Sequence, residues 1–163
     1  MNTKFIVTAV ALAALLSGNT LVSAHEDEHH KADENEGHAA TLGEPGDPEK
    51  ASRTIEVQMS DAMRFTPSSI KVKRGETIKF VLTNTGRVKH EMVLGTIKEL
   101  KEHAALMQKF PDMEHADPNM VTVEPGKTGE LVWRFTKPGT FDFACLQPGH
   151  FEAGMTGKIA VKR

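Results

Sequence analysis

The sequence predicts an all-β domain of seven or eight short strands, interrupted by one helix. The first observation is an alternating pattern of apolar and polar residues in seven segments, which is typical of half-buried strands. The second is glycine-containing turns at Arg74-Gly75, Glu124–Lys127 and Lys137–Gly139. Short strands with regular turn signals favour a β-sandwich or a small barrel. The alternating segments are 54–59, 70–73, 77–82, 120–123, 130–135, 140–143 and 158–161.

The helix is predicted within an insertion between two strands, roughly residues 95–119. Thr96 and Glu99, three residues apart, form a capping box at its start. Pro111 follows its predicted end. Four apolar residues then fall on one face of this helix: Ile97, Leu100, Ala104 and Met107.

The first 24 residues have the three parts of a secretory signal peptide. Lys4 supplies the positive region, residues 5–16 the apolar region and residues 22–24 a small-residue cleavage site. The apolar run is shorter than the roughly 20 residues of a spanning helix. We therefore predict cleavage after Ala24 and a soluble product in the periplasm, with no membrane span after processing. An uncleaved membrane anchor is the alternative.

Composition divides the remaining chain at residue 52. Residues 25–51 carry nine acidic side chains against two lysines and almost no large apolar residues, so we expect a disordered acidic tail. Residues 52–163 carry 17 basic and 13 acidic side chains and most of the hydrophobic residues, and we expect one domain there. Because the basic residues are scattered, a nucleic-acid partner is not expected. We expect a monomer.

The chain has a single cysteine, Cys145, which cannot form a disulfide within the chain. In an oxidising compartment it is therefore an inert buried thiol, half of an intermolecular disulfide, a nucleophile or a metal ligand. His150 and Met155 follow it at a Cys-x4-His-x4-Met spacing, on a loop between two predicted strands. A thiolate, an imidazole and a thioether on one loop favour copper, because two His, one Cys and a distant axial Met form the blue-copper arrangement.

A second histidine must come from elsewhere in the chain, and His90 is the candidate. It lies in the segment NTGRVKHEMVLG, which we place at the far end of the strand that starts near Thr77. A ligand on a separate strand would be held rigidly while the loop supplies the others.

The segments CLQPGHFEAGM and KHEMVLG resemble the cupredoxin family of type 1 copper proteins. The resemblance covers about the whole predicted domain and implies a Greek-key β-sandwich (cupredoxin-like). It also implies one type 1 copper ion with His90, Cys145 and His150 as equatorial ligands and Met155 as the axial ligand. Within the family, the sequence is similar to exported copper-tolerance cupredoxins with a His-rich N-terminus.

One departure from the family pattern is Glu91, which follows His90. Many members have Asn or Ser there, and that side chain braces the loop that bears the Cys. Lys89 precedes the histidine. Neighbours of ligands orient them and tune the metal, so these positions bear on the potential.

Other chemistries fit the Cys-His-Met motif less well. A Cys-His nucleophile is possible in principle, but nothing plausible orients the histidine and the methionine has no hydrolytic role. Zinc would prefer more thiolate or imidazole and no thioether. A buried core thiol is the remaining alternative for the cysteine alone.

The acidic tail offers a possible second group of copper ligands, since His-rich tracts are typical metal-binding compositions. A solvated tail whose histidines only add solubility is the alternative. Met113 and His115 in the insertion are weaker candidates for another copper site. The tail histidines are His25, His29, His30 and His38.

These observations predict an exported mononuclear type 1 copper protein, redox-active and serving periplasmic copper tolerance. The alternative is a soluble electron carrier whose redox partner docks near His150. We do not expect an enzyme, because copper enzymes such as nitrite reductases and multicopper oxidases need further copper sites and further domains.

Overall fold

The computed structural model describes residues 42–111, 113 and 116–163. Within these residues the chain forms ten strands, one α-helix and one short 3₁₀ helix at Pro48–Lys50. The strands are β1 (Gly43–Pro45), β2 (Arg53–Ser60), β3 (Arg64–Thr66), β4 (Ser69–Lys73), β5 (Thr77–Asn84), β6 (His90–Gly95), β7 (Met120–Val123), β8 (Thr128–Phe135), β9 (Gly139–Ala144) and β10 (Thr156–Lys162).

The strands form two five-stranded mixed sheets. The first has the order β1-β8-β5-β2-β3 and the second β4-β10-β9-β6-β7. Each contains one parallel pair, β2 with β5 and β4 with β10, among antiparallel neighbours. The all-β prediction is confirmed and the seven predicted strands all form, but among the described residues β1, β3 and β6 raise the number to ten, above the predicted seven or eight.

Aromatic side chains from both sheets meet between them and form the main core. Phe65 of β3 packs edge-on against Phe143 of β9, with ring centroids 5.0 Å apart. Phe80 and Phe135 pack in the same way within the first sheet, at 6.3 Å. Cys145 and Met155 belong to this same buried cluster. The candidate ligands are therefore anchored at one end of the core that holds the two sheets together.

The helix α1 (Ile97–Lys109) begins at Thr96 with the predicted capping box. Glu99 N–H donates to Thr96 Oγ1, and Thr96 N–H donates to Glu99 Oε2 at 2.7 Å. The helix covers β6 and β9 of the second sheet. Three of the four predicted core positions are buried, whereas Ile97 at the first helical position is exposed.

Two further features of the fold differ from the sequence prediction. β1 pairs with β8, and Leu42 is fully buried, so the folded domain includes residues before its predicted start at residue 52. The segment that contains His90 is not the end of the strand from Thr77. It is the separate strand β6 in the opposite sheet, because the chain turns between Asn84 and His90.

No helix among the described residues is long and apolar enough to cross a membrane. The predicted signal peptide and the four tail histidines lie outside the described residues.

Candidate metal centre

Three metal-binding side chains from two elements converge at one end of the sandwich. The ligand atoms of His90, Cys145 and His150 all lie within 4.8 Å of one another. Cys145 Sγ is 3.2 Å from His150 Nδ1 and 4.0 Å from His90 Nδ1. The two Nδ1 atoms are 3.2 Å apart. Both imidazoles thus present the same ring nitrogen to the thiol.

The loop between β9 and β10 brings Cys145, His150 and Met155 together through its own backbone. Cys145 N–H donates to the Met155 carbonyl at 3.1 Å, and Met155 N–H donates to the His150 carbonyl at 3.0 Å. Gly149 and Gly154 have φ of 83° and 87°, a region that side-chain-bearing residues rarely adopt. The tight turns explain why glycine stands before the histidine and before the methionine.

The same loop is fixed to the rest of the fold by Arg64. Its Nη1 donates to the Ala153 carbonyl at 3.1 Å, across from β3 of the other sheet. Below the loop, a Cβ on Gly157 would overlap the ring of Phe143. The ring of Phe143 therefore packs directly on the backbone at the start of β10, where the loop ends.

Met155 is fully buried in the same core cluster as Cys145. Its carbonyl accepts the Cys145 N–H at 3.1 Å, so the two backbones lie side by side. The axial role of Met155 remains a proposal.

Glu91 braces the loop that bears the cysteine. Its side chain is almost fully buried. Leu146 N–H donates to Glu91 Oε1 at 3.0 Å, and Gln147 Nε2 donates to Oε2 at 2.9 Å. The backbone N–H of Glu91 donates to Cys145 Sγ at 3.4 Å. A carboxylate thus does here what an Asn or Ser brace was expected to do, and Glu91 also links β6 to the cysteine and to the two residues that follow it.

Asp61 contacts the far side of His90. Its Oδ1 lies 3.2 Å from His90 Nε2, and the His90 side chain is fully buried. Sequence reasoning missed this residue, because it lies in the turn after β2, 29 positions away from the histidine. The sequence signal was an aspartate just after a predicted strand, and aspartates are too common at that position to indicate a site.

Burial sets the protonation of the thiol before any metal binds. Desolvation raises the pKa of Cys145 to about 12, and the nearby Glu91 charge adds to the rise. Desolvation, followed by the charge of His90, lowers the pKa of His150. Near neutral pH the metal-free site therefore holds a neutral thiol and a neutral His150 imidazole.

These pKa shifts predict that copper uptake releases a proton. A thiol must lose its proton to bind a metal, and the Cys145 proton stays on up to about pH 12. Between pH 7 and 9 we expect at least one proton per copper, with affinity rising about tenfold per pH unit from this group. Titration with Cu(II) in weakly buffered indicator solution measures the proton count. Uptake without proton release would contradict the thiolate assignment, and Cys145→Ser should release fewer protons.

The donor set fits copper. One thiol and two imidazoles, with a buried thioether on the same loop, match the soft and borderline ligands that copper takes in blue-copper sites. A site for zinc alone would call for more nitrogen or thiolate donors.

The candidates for a second copper site in the insertion are not assigned to this centre. Met113 lies in the loop after the helix and is exposed, whereas His115 lies outside the described residues. Among the described residues, His90, Cys145 and His150 are the one group of three or more His, Cys, Asp and Glu side chains with metal-ligand spacing.

Fold and site together define a metal-binding β-sandwich with a Cys-His₂ centre on a Cys-His-Met loop. Residues 51–162 match the family of copper binding proteins of the plastocyanin/azurin type. The chain belongs to this family, which confirms the cupredoxin prediction and its copper cofactor.

Individual relatives support the same family assignment. The chain is 54% identical to the copper-resistant cuproprotein CopI of Rubrivivax gelatinosus over 97% of this chain and 90% of that protein. It is 39% identical to CopI of Pseudomonas aeruginosa over 77% of this chain and 84% of that protein. Among solved structures, auracyanin B has the same fold, with a TM-score of 0.63 and 24% identity over 75% of this chain and 96% of that chain.

Proposed function

We propose that the protein is an exported, mononuclear type 1 copper protein that serves copper tolerance in the periplasm. Its equatorial ligands are His90, Cys145 and His150, and its axial ligand is Met155. The observation that carries this proposal is the convergence of one buried thiol with two imidazole Nδ1 atoms within 4.8 Å. Bound copper would supply a one-electron change between Cu(I) and Cu(II).

The role of the chain is to hold these donors still and keep water away from them. His90 starts the fully buried strand β6, and Cys145 follows β9, whose last four residues are buried. The side chain of Glu91 and the guanidinium of Arg64 tie the ligand loop to both sheets. A site fixed in this way changes little when the electron moves, so reorganisation is small.

His150 is the ligand that reaches the surface. It is partly exposed, whereas His90 and Cys145 are fully buried. Its neighbours on the loop include the exposed Pro148 and the partly buried Phe151. This apolar rim suits contact with a redox partner, and an electron could enter or leave through the edge of the imidazole.

The proposed tolerance role rests on the CopI relatives, whose name describes copper resistance. The four tail histidines would add Cu(II) ligands to the exported protein, and a pure electron carrier has no need of them. The alternative, a soluble electron carrier, is favoured by the partly exposed His150. In neither case do we propose catalysis, and we propose that the protein acts as a monomer.

A truncation separates the two candidate functions. The truncated protein should start at Thr41, because Leu42 is buried and β1 is part of the first sheet. It lacks all four tail histidines but keeps the fold, so its coloured copper should remain. The mature full-length protein should bind additional Cu(II) with the weak colour of nitrogen and oxygen ligation. Equal copper stoichiometry in the two proteins would remove the support that the tail gives to copper handling.

Growth of a strain without the gene tests the biological role. Copper tolerance predicts sensitivity to excess copper with normal respiratory growth in ordinary medium. A respiratory defect without copper sensitivity would favour the electron carrier instead.

Replacing the axial candidate should raise the reduction potential. The axial ligand is one determinant of potential in blue-copper sites, and Met155→Leu removes a thioether while keeping a similar apolar volume. We expect copper to stay bound by the three equatorial ligands and the potential to rise, as measured by voltammetry. An unchanged potential would mean that Met155 is not the axial ligand.

A further inference from the structure

We propose that Asp61 is a positioning residue for the copper centre: its carboxylate fixes the tautomer of His90 and favours the Cu(II) state. This inference rests on the proposed function, since it concerns the same metal. It assigns a role to a residue outside the Cys-His-Met loop and outside β6.

The contact is placed where it controls the ligand nitrogen. Asp61 Oδ1 lies 3.2 Å from His90 Nε2, on the opposite side of the ring from the Nδ1 that faces Cys145 and His150. An ionised carboxylate only accepts hydrogen bonds, so the proton of a neutral His90 must lie on Nε2. The lone pair of Nδ1 is then directed toward the thiol and the second imidazole.

The carboxylate is itself held by backbone donors. Arg87 N–H donates to Asp61 Oδ2 at 2.8 Å, and Val88 N–H lies 3.5 Å from Oδ1. These two backbone donors fix the direction of the carboxylate, and an aspartate is ordinarily ionised at neutral pH.

The turn that supplies these donors is organised by a buried amide. Asn84 is fully buried. Its Nδ2 donates to the carbonyls of Val88 and Val123, at 2.8 and 2.9 Å, and its Oδ1 accepts from Gly86 N–H at 2.9 Å. A Cβ on Gly86 would overlap the Asp61 carboxylate. The turn between β5 and β6 thus leaves room for Asp61 and aims two N–H groups at it.

A carboxylate on the outer nitrogen makes a metal-bound imidazole a stronger donor. A stronger donor and a nearby negative charge both stabilise Cu(II) more than Cu(I), so the potential is lowered. The Asp61 side chain is exposed to 40%, so solvent screens part of the charge, and the directed hydrogen bond is the contribution that positions His90.

The test compares four variants of the full mature protein loaded with copper. Asp61→Asn keeps one acceptor but loses the charge, and Asp61→Ala loses both. Gly86→Ala keeps the charge but displaces the carboxylate. Glu124→Gln is the matched control, because Glu124 is an exposed carboxylate close to the centre that pairs with Lys89 at 3.1 Å and is not a partner of His90.

Three measurements separate positioning from a merely structural role. Voltammetry gives the potential, competition with chelators gives the Cu(II) and Cu(I) affinities, and nitrogen-15 NMR of the Cu(I) protein follows the His90 Nε2–H proton. Loss of such an outer partner typically costs about 10–100-fold in metal affinity. We expect a loss in this range for Cu(II), a smaller loss for Cu(I), and therefore a higher potential in both Asp61 variants and in Gly86→Ala.

The wild-type protein should show a slowly exchanging His90 Nε2–H that is lost or exchanges faster in the three variants, with Glu124→Gln unchanged. Asp61 variants with the potential and proton signal of the control would overturn the proposal. So would an equal shift in Glu124→Gln, which would point to general charge alone. If Asp61→Ala does not fold, the results for Asp61→Asn and Gly86→Ala decide whether the proposal holds. Absence of coloured copper in the wild-type protein itself would instead refute the proposed function.

Discussion

Replacing Cys145 with serine should remove the intense visible absorption of the copper-loaded protein. That band would arise from charge transfer between the thiolate and Cu(II), and Cys145 is the only cysteine in the chain. Serine is of similar size, and its hydroxyl oxygen can accept the Glu91 N–H that now points at the sulfur. We therefore expect the fold to survive while essentially all of the band is lost. Absorption spectroscopy of the copper-loaded variant measures this.

Thermal unfolding of Cys145→Ser without metal provides the control, and it should resemble that of the metal-free wild type. Any Cu(II) that still binds should be weakly coloured. A variant as strongly coloured as the wild type would show that the colour arises elsewhere and would refute the site.

Replacing Glu91 with alanine should loosen the ligand loop and weaken copper binding. The change leaves the buried Leu146 N–H and the Gln147 side chain without their acceptor. An unsatisfied buried donor costs about 1–3 kcal/mol, so we expect a stability loss of about that size. We also expect about a 10–100-fold loss of copper affinity, as for other partners of metal ligands. Denaturant unfolding and chelator competition measure the two effects.

Glu91→Gln is the conservative comparison for this prediction. Its amide oxygen can still accept from Leu146 N–H, and the Gln147 amide can turn to accept from the new NH₂ group. Most of the stability and affinity should return in this variant. If Glu91→Ala bound copper as tightly as the wild type, the brace would have no role in the site.

The ligand loop was predictable because its chemistry is contiguous. Cys145, His150 and Met155 stand at fixed spacings in one short segment, and few other uses explain a thiol, an imidazole and a thioether together. His90 was predictable only because the blue-copper ligand set needs a second histidine, which the loop does not supply. The structure brings it to Cys145 and His150, although on a different strand from the one expected.

The alternation pattern did not predict β6, and the reason is physical. All six of its residues are buried, because Met92 and Leu94 face the main core while Val93 lies under the helix. A strand that is covered on both faces has no polar face to alternate with. β1 was not predicted for another reason. It is held by backbone pairing with β8, and its residues carry no hydrophobic pattern.

The residues that hold the candidate ligands in place were the least predictable from the sequence. The contact of Asp61 with His90 depends on how the turn between β5 and β6 folds around Asn84. The bracing role of Glu91 depends on the pairing of β6 with β9 in the second sheet, which brings β6 beside the loop after β9. No fixed sequence spacing indicates either contact, because each joins residues that are far apart in the chain.

Anomalous diffraction at the copper edge, from crystals of the copper-loaded protein that starts at Thr41, would locate the metal itself. We expect one strong peak per chain, bounded by the Sγ atom of Cys145 and the Nδ1 atoms of His90 and His150. A peak elsewhere on the domain, with these three side chains left without metal, would contradict the proposed site.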